Sequence, residues 1–280
     1  MATTKKKVST IKVLFYFSIV GFIVTVIFPF IWQFLMSIKP ASEMYSMPVD
    51  WIPGKIILKR YVTIFTGRPF GRYLLNSLIV ATGTTTFCLL VGSFAAYALA
   101  RLEFTGKGPI LALVLALSMF PPVAIVSPLY LMLKNVGLLN NYLGLILPYT
   151  TFAMPMTIWI LTSFFRTIPF GLEEAAKIDG ATPLQAFWKI IVPLAAPGTF
   201  TAAILIFIFA WNEYLFALTF MTSSLMKTVP VGLTMFPGQH RMPWGDIAAA
   251  TVVVTVPLII MVLFFQRRII SGLTAGAVKG

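Results

Sequence analysis

The chain has 280 residues, 59% of them hydrophobic and 10% charged, well under half the charged share of a soluble domain. A mean hydropathy of +0.92 makes lipid the solvent for most of it. Lys and Arg outnumber Asp and Glu by 21 to 8. The basic residues are scattered over loops between apolar runs, which argues against a nucleic-acid face and fits the loops of a membrane protein. A single Cys (Cys88) and a single His (His240) exclude a disulfide framework, a zinc site and Cys/His catalysis.

Six apolar segments are long enough to cross a bilayer core of about 30 Å: residues 13–36, 73–100, 109–133, 142–165, 199–221 and 247–265. The chain thus divides into an N-terminal stretch 1–12, a first span 13–36, an external loop 37–72, a membrane core 73–265 and a tail 266–280. Lys5, Lys6 and Lys7 precede the first span. That span is too long for the apolar core of a signal peptide and lacks a following small-residue cleavage site, so it reads as an uncleaved helix. With the N-terminus inside, twelve of the 21 basic residues fall on the inner side. Six of the outer nine crowd into the one loop 37–72, so the lysine cluster sets the orientation and both termini are expected in the cytoplasm. Pro40, Pro48, Pro53, Pro69, Trp51 and Tyr61 suggest that this loop is ordered. Pro121, Pro122 and Pro128 interrupt the third span. Such breaks survive in a membrane when they face protein or a cavity. Gly83, Gly92, Ala95 and Ala96 suit the second span to close helix packing, with Cys88 a small packing residue among them.

Between the fourth and fifth spans lies a polar, helix-forming island, residues 166–198. Pro169 suits a first turn, and Glu173 and Glu174 favour the positive end of the same helix. Leu172, Ala175 and Ala176 make one apolar stripe, and Gly180 supplies a left-handed helix end. Thr182, Pro183 and Gln185 then read as a capping box that starts a second helix. Leu184, Phe187, Trp188 and Ile191 form its apolar stripe, and Pro193 stops it. Two short amphipathic helices joined by a glycine turn need something to pack on, either their own bundle and the membrane surface or a partner.

Glu174-Ala175-Ala176, then Asp179-Gly180-Ala181, then Ile190 and Pro193, resemble the EAA loop of binding-protein-dependent ABC importer permeases. The resemblance implies an all-α membrane protein with six transmembrane helices, the type I ABC importer permease fold, and a cytoplasmic coupling-helix hairpin seated in an ATPase. On that reading Glu174 pairs with a basic residue of the ATPase, Gly180 permits the turn, and Phe187 and Trp188 are the apolar anchors. Asn76-Ser77-Leu78, Tyr97-Ala98-Leu99-Ala100-Arg101, Phe207 to Tyr214 and Trp244-Gly245-Asp246 resemble the maltose-type carbohydrate branch. So does the tail from Gly272 through Gly276 and Lys279 to Gly280. The resemblance implies that this tail reaches the ATPase. The partners it implies are a second, MalF-like permease, a homodimeric MalK-like ATPase and an extracytoplasmic solute-binding protein. It implies no cofactor on this chain, and ATP with Mg on the ATPase. No GxxxxGK[ST] phosphate loop occurs in the sequence.

Glu213 is the one acidic residue deep inside an expected span, about 12 Å from its outer end. A charge there is costly and should face protein or a polar path. With Trp211, Asn212 and Tyr214 it offers stacking and hydrogen-bonding groups suited to a sugar. Contact with a neighbouring helix or a partner subunit is the other reading. His240 reads as an outer-loop residue. A sugar or oligosaccharide is the expected cargo. Glycerol phosphate or a glycosylated compatible solute is the alternative, and a proton-driven secondary transporter using Glu213 is a distant one.

Overall fold

The computed structural model describes residues 10–236 and 242–275, and every regular element among them is helical. In chain order these are α1 (Thr10–Ile38), α2 (Lys59–Thr66), α3 (Phe70–Arg101), α4 (Lys107–Ser118) and α5 (Pro122–Asn135). Then follow α6 (Leu143–Thr167), α7 (Gly171–Ile178), α8 (Pro183–Ala186), a π-helical turn (Phe187–Ile191) and α9 (Val192–Leu194). The last are α10 (Ala196–Asn212), α11 (Leu215–Phe220), α12 (Val229–Thr234) and α13 (Trp244–Ala275). Among the described residues four helices are long and apolar enough to cross a membrane, and two bent pairs raise the number to six if each is one span.

The chain forms two units, Met1–Arg68 with Phe236–Val253, and Pro69–Met235 with Val254–Gly280. In the first, residues 11–30 of α1 are exposed around the whole helix and are almost all apolar, which suits lipid. The loop after α1 is ordered, as its proline and aromatic content suggests, because it folds onto the end of that helix. Arg60 donates to the carbonyls of Lys39 and of Ser37 (3.4 Å) and pairs with Asp246 at 3.5 Å. Tyr61 and Ser37 share a hydroxyl hydrogen bond of 2.7 Å, and Trp32 meets Trp51 edge to face at 5.4 Å. Burial pulls the Arg60 guanidinium below its ordinary range, and Asp246 opposes that shift. A Cβ added at Gly245 would lie 2.3 Å from the Arg60 guanidinium carbon, so a side chain there requires the ends of Arg60 and Met44 to move.

In the second unit α3 packs along α6 and α10. The small residues anticipated in the second span make this approach possible. A Cβ on Gly83 would sit 2.7 Å from Ile146, and one on Gly92 would sit 2.8 Å from Thr157. At one end of α3, Asn76 donates to the carbonyls of Leu225 (2.9 Å) and Lys227 (2.8 Å) and accepts from Tyr142 (2.9 Å). Ser77 accepts from the Val229 amide at 2.9 Å. The Asn-Ser pair thereby satisfies the backbone of an irregular segment, as a low-dielectric interior requires.

Two expected spans differ from single helices. The third is two helices, α4 and α5, meeting at 87°. Pro122 forces Pro121 out of the helical region, to φ −68° and ψ 121°, so the turn cannot continue. The fifth is also interrupted: α10 stops at Asn212, Glu213 is extended (φ −67°, ψ 130°), and α11 restarts at Leu215. The tail expected from residue 266 is helical at its start, because α13 continues through Gly272 to Ala275. Gly276, Lys279, His240 and the N-terminal lysines lie outside the described residues.

Candidate functional site

The polar island folds as a hairpin of α7, a turn, α8 and the π turn. Its turn is a full Schellman closure. Ala181 N–H donates to the Ala176 carbonyl (2.8 Å) and Gly180 N–H to Lys177 (3.0 Å), with Gly180 at φ +84°. The second helix starts on the anticipated capping box. Thr182 Oγ1 accepts from Gln185 N–H (3.3 Å), and Gln185 Oε1 accepts from Thr182 N–H (2.9 Å). After α8 the helix widens into the π turn Phe187–Ile191. Pro193 does not end the helix at once; the break comes at Ala195, where the chain bends by 76° into α10.

The two faces of the hairpin are divided differently from the expected stripes. On α7 the buried residues are Glu173 and Ala176, while Leu172, Ala175 and Glu174 point outward. Two inward ring-and-charge contacts decide this. Phe187, 1% exposed, lies 5.1 Å from the rings of both Phe94 and Tyr97. It therefore seats the hairpin on its own bundle and is not free to anchor a partner, which corrects the pairing of Phe187 with Trp188. Trp188 remains 43% exposed, edge-on to Phe94.

The second contact is a buried ion pair that the sequence reading did not single out. Arg101 Nε lies 3.0 Å from Glu173 Oε1, Arg101 Nη2 donates to the Ile168 carbonyl at 2.6 Å, and Tyr97 donates to Glu173 Oε2 at 3.2 Å. The guanidinium also lies 4.4 Å from the centre of the Phe170 ring. Tyr97 and Arg101 are one turn apart at the end of α3. An arginine ending an apolar span, four residues after a tyrosine, was the available signal, together with a second glutamate beside Glu174.

On the outward face Leu172, Ile178, Leu184 and Trp188 form exposed apolar surface, with Glu174, Lys177 and Asp179 among them. Ile178 is 87% exposed. Exposed apolar residues on a polar hairpin, edged by charge, suit a docking surface. Thus Glu174, Ala175, Asp179, Gly180, Trp188 and Pro193 face outward, whereas Ala176 and Phe187 face the bundle.

The Glu213 region separates in a similar way. Its carboxylate accepts from the backbone amides of Phe216 (2.9 Å) and Ala217 (3.2 Å) and from the Tyr149 hydroxyl. Glu213 thereby caps the start of α11 and links it to α6. Trp211 is 2% exposed and stacks on Phe207 at 5.5 Å. Asn212 and Tyr214 are exposed, and Asn212 donates to the Ile208 carbonyl of its own helix at 2.8 Å. The four residues therefore share a segment without converging on one open face. Among the described residues no cluster of His, Cys, Asp or Glu could hold a metal ion.

Residues 88–274 match the family described as "Binding-protein-dependent transport system inner membrane component". The trehalose transport system permease protein SugB of Mycobacterium tuberculosis is 48% identical over 254 residues, 90% of this chain and 92% of the relative. The trehalose/maltose transport system permease protein MalG of Thermococcus litoralis is 43% identical over 257 residues, covering 91% and 92%. The sulfoquinovosyl glycerol transport system permease protein SmoH of Agrobacterium fabrum is also 43% identical, covering 91% and 89%. In fold, a chain from the crystal structure of a bacterial ABC transporter involved in the import of alginate superposes with a TM-score of 0.80 at 23% identity, covering 95% and 99%. The outward-facing hairpin, the helical membrane core and these relatives agree that the chain belongs to the binding-protein-dependent inner-membrane transport components, as a type I ABC importer permease driven by a separate ATPase.

Proposed function

We propose that this chain is the MalG-like half of a carbohydrate importer, with a MalF-like second permease, a MalK-like ATPase homodimer and an extracytoplasmic sugar-binding protein. The observation that carries the reading is the hairpin, locked to α3 on one face while Leu172, Ile178, Leu184 and Trp188 stay uncovered on the other. That face docks in the ATPase on the cytoplasmic side, where both termini also lie. Glu174 supplies the charge that pairs with a basic residue there. Closure of the ATPase dimer pulls the hairpins inward and turns the cavity outward. In this reading the tail, with Gly272, Gly276 and Lys279, is a second contact for the ATPase. Lipid surrounds the long exposed apolar helix α1.

The named cargoes of the relatives support a sugar or oligosaccharide. Sulfoquinovosyl glycerol, in the name of one of them, favours a glycosylated polyol as the second reading. Glu213, committed to the cap of α11 and to Tyr149, shapes the permease wall and carries no proton cycle in this reading. Trp211 belongs to the packing of that wall, while Asn212 and Tyr214 are the groups open to a path. The test is purification of the native complex, followed by a sugar-binding screen on the extracytoplasmic protein that accompanies it. A complex without an ATPase would refute the machine, and a binding protein that takes only non-carbohydrate solutes would refute the cargo.

A further inference from the structure

The Arg101–Glu173 pair lies on the inner face of the hairpin, away from the surface proposed to dock the ATPase. Both residues are buried, at 6% and 5% exposure. Taking two charges out of water is expensive, and an apolar pair of similar volume would stabilise a fold as well or better. Folding alone therefore gives little reason for the pair. Its geometry gives another. The guanidinium is a planar fork whose hydrogen bonds fix angle as well as distance. Here Nη2 donates to the Ile168 carbonyl at the end of α6, Nε faces the Glu173 carboxylate of α7 as an ion pair at 3.0 Å, and Tyr97 on α3 donates to the second carboxylate oxygen. The stacked Phe187 adds an apolar contact beside it, but apolar contacts permit sliding and rotation. The directional bonds tie three elements at one point.

We propose that Arg101 and Glu173 are positioning residues that make the hairpin and the end of α3 move as one body, so that motion imposed on the hairpin is delivered to α3 and, through its packing, to α6 and α10. This rests on the reading that the hairpin's outer face docks the ATPase. Glu174 then does the gripping and Glu173 the transmitting, although the two are neighbours in sequence.

The test uses the complete transporter in lipid, with Cys88 replaced by Ala and spin labels on Gly171→Cys, at the start of α7 outside the docking face, and Val91→Cys, both at exposed sites with open space at the Gly171 Cβ. The distance between the labels is measured without nucleotide and with MgATP and vanadate. With the pair intact, one narrow distance is expected in both states. In Arg101→Met/Glu173→Met the ATPase should remain bound and active, while the distance shifts between states by about 2 Å or more, the scale of helix displacements in switching proteins. An unchanged narrow distance in that variant overturns the proposal. So does loss of the ATPase from a permease that still folds, because the pair would then only scaffold the hairpin. Should the double variant fail to fold, Tyr97→Phe removes a single hydroxyl and decides the matter: broadening supports the proposal and no change overturns it. Glu174→Lys serves as the separate control. Full ATPase binding there refutes the docking reading itself, whatever the labels show.

Discussion

Phe187 and Trp188 are adjacent, aromatic and alike in sequence, yet they should fail in different assays. Phe187 is 1% exposed and contacts the rings of Phe94, Tyr97 and Phe165 at 5.1, 5.1 and 6.3 Å. Truncating a buried Phe to Ala costs about 3–5 kcal/mol. The loss falls on the attachment of the hairpin to the ends of α3 and α6 around Tyr97 and Phe165, not on the packing of those helices at Gly83 and Ile146. A local opening free energy reduced by about 4 kcal/mol raises the open population about a thousandfold. Phe187→Ala should therefore accelerate amide exchange across residues 172–191 and tryptic cleavage at Lys177 and Lys189 in the isolated permease, with the opposite halves of α3 and α6, around Gly83 and Ile146, unaffected. ATPase association falls as a consequence. Trp188→Ala, at 43% exposure, should leave exchange and cleavage in the isolated permease near wild type and weaken ATPase association directly. If Phe187→Ala leaves hairpin protection unchanged while ATPase binding drops, the inward seat is wrong and the ring is a partner anchor after all.

Three further outcomes follow from the same geometry. Gly180→Ala must hold φ +84° with a Cβ and should destabilise the hairpin by about 1 kcal/mol, read as faster exchange at Ala181 and Gly180; unchanged exchange would mean that the left-handed turn is not populated. Glu174→Lys should abolish uptake and weaken ATPase association while membrane insertion stays normal, since the side chain is exposed and makes no contact that the fold needs; surviving uptake and ATPase binding would remove it from the docking surface. Glu213→Gln exchanges a charged acceptor for a neutral one at the cap of α11, a change of about 1–2 kcal/mol. It should lower the melting temperature of the detergent-solubilised permease, with uptake per assembled complex preserved. Lost uptake at unchanged stability and assembly would instead place Glu213 in the path.

Much of this architecture is legible in the sequence because its causes are local. Span length follows from apolar run length, the hairpin start from Thr182 and Gln185, and the hairpin turn from Gly180, each within a few residues of its partner. The 87° break between α4 and α5 is nearly local as well: Pro121-Pro122 announces an interruption, but whether the chain kinks or turns depends on what the second helix packs against. The Glu213 cap was less accessible. A carboxylate expected within a continuous helix turned out to be the reason for a restart, because it satisfies two amides that would otherwise be bare in a low-dielectric setting.

Composition, spacing and capping by themselves determined that this protein is a helical membrane component with a projecting hairpin, since each depends only on neighbours along the chain. Which face of that hairpin points inward was decided by tertiary structure. Leu172 and Ala175 fit an inward stripe by period, yet Glu173 takes the inner position because Arg101, 72 positions earlier in the chain, waits there with Tyr97. A buried charge finds its lowest energy where a counter-charge and directed hydrogen bonds already exist. No periodicity along one helix encodes where another helix will place them.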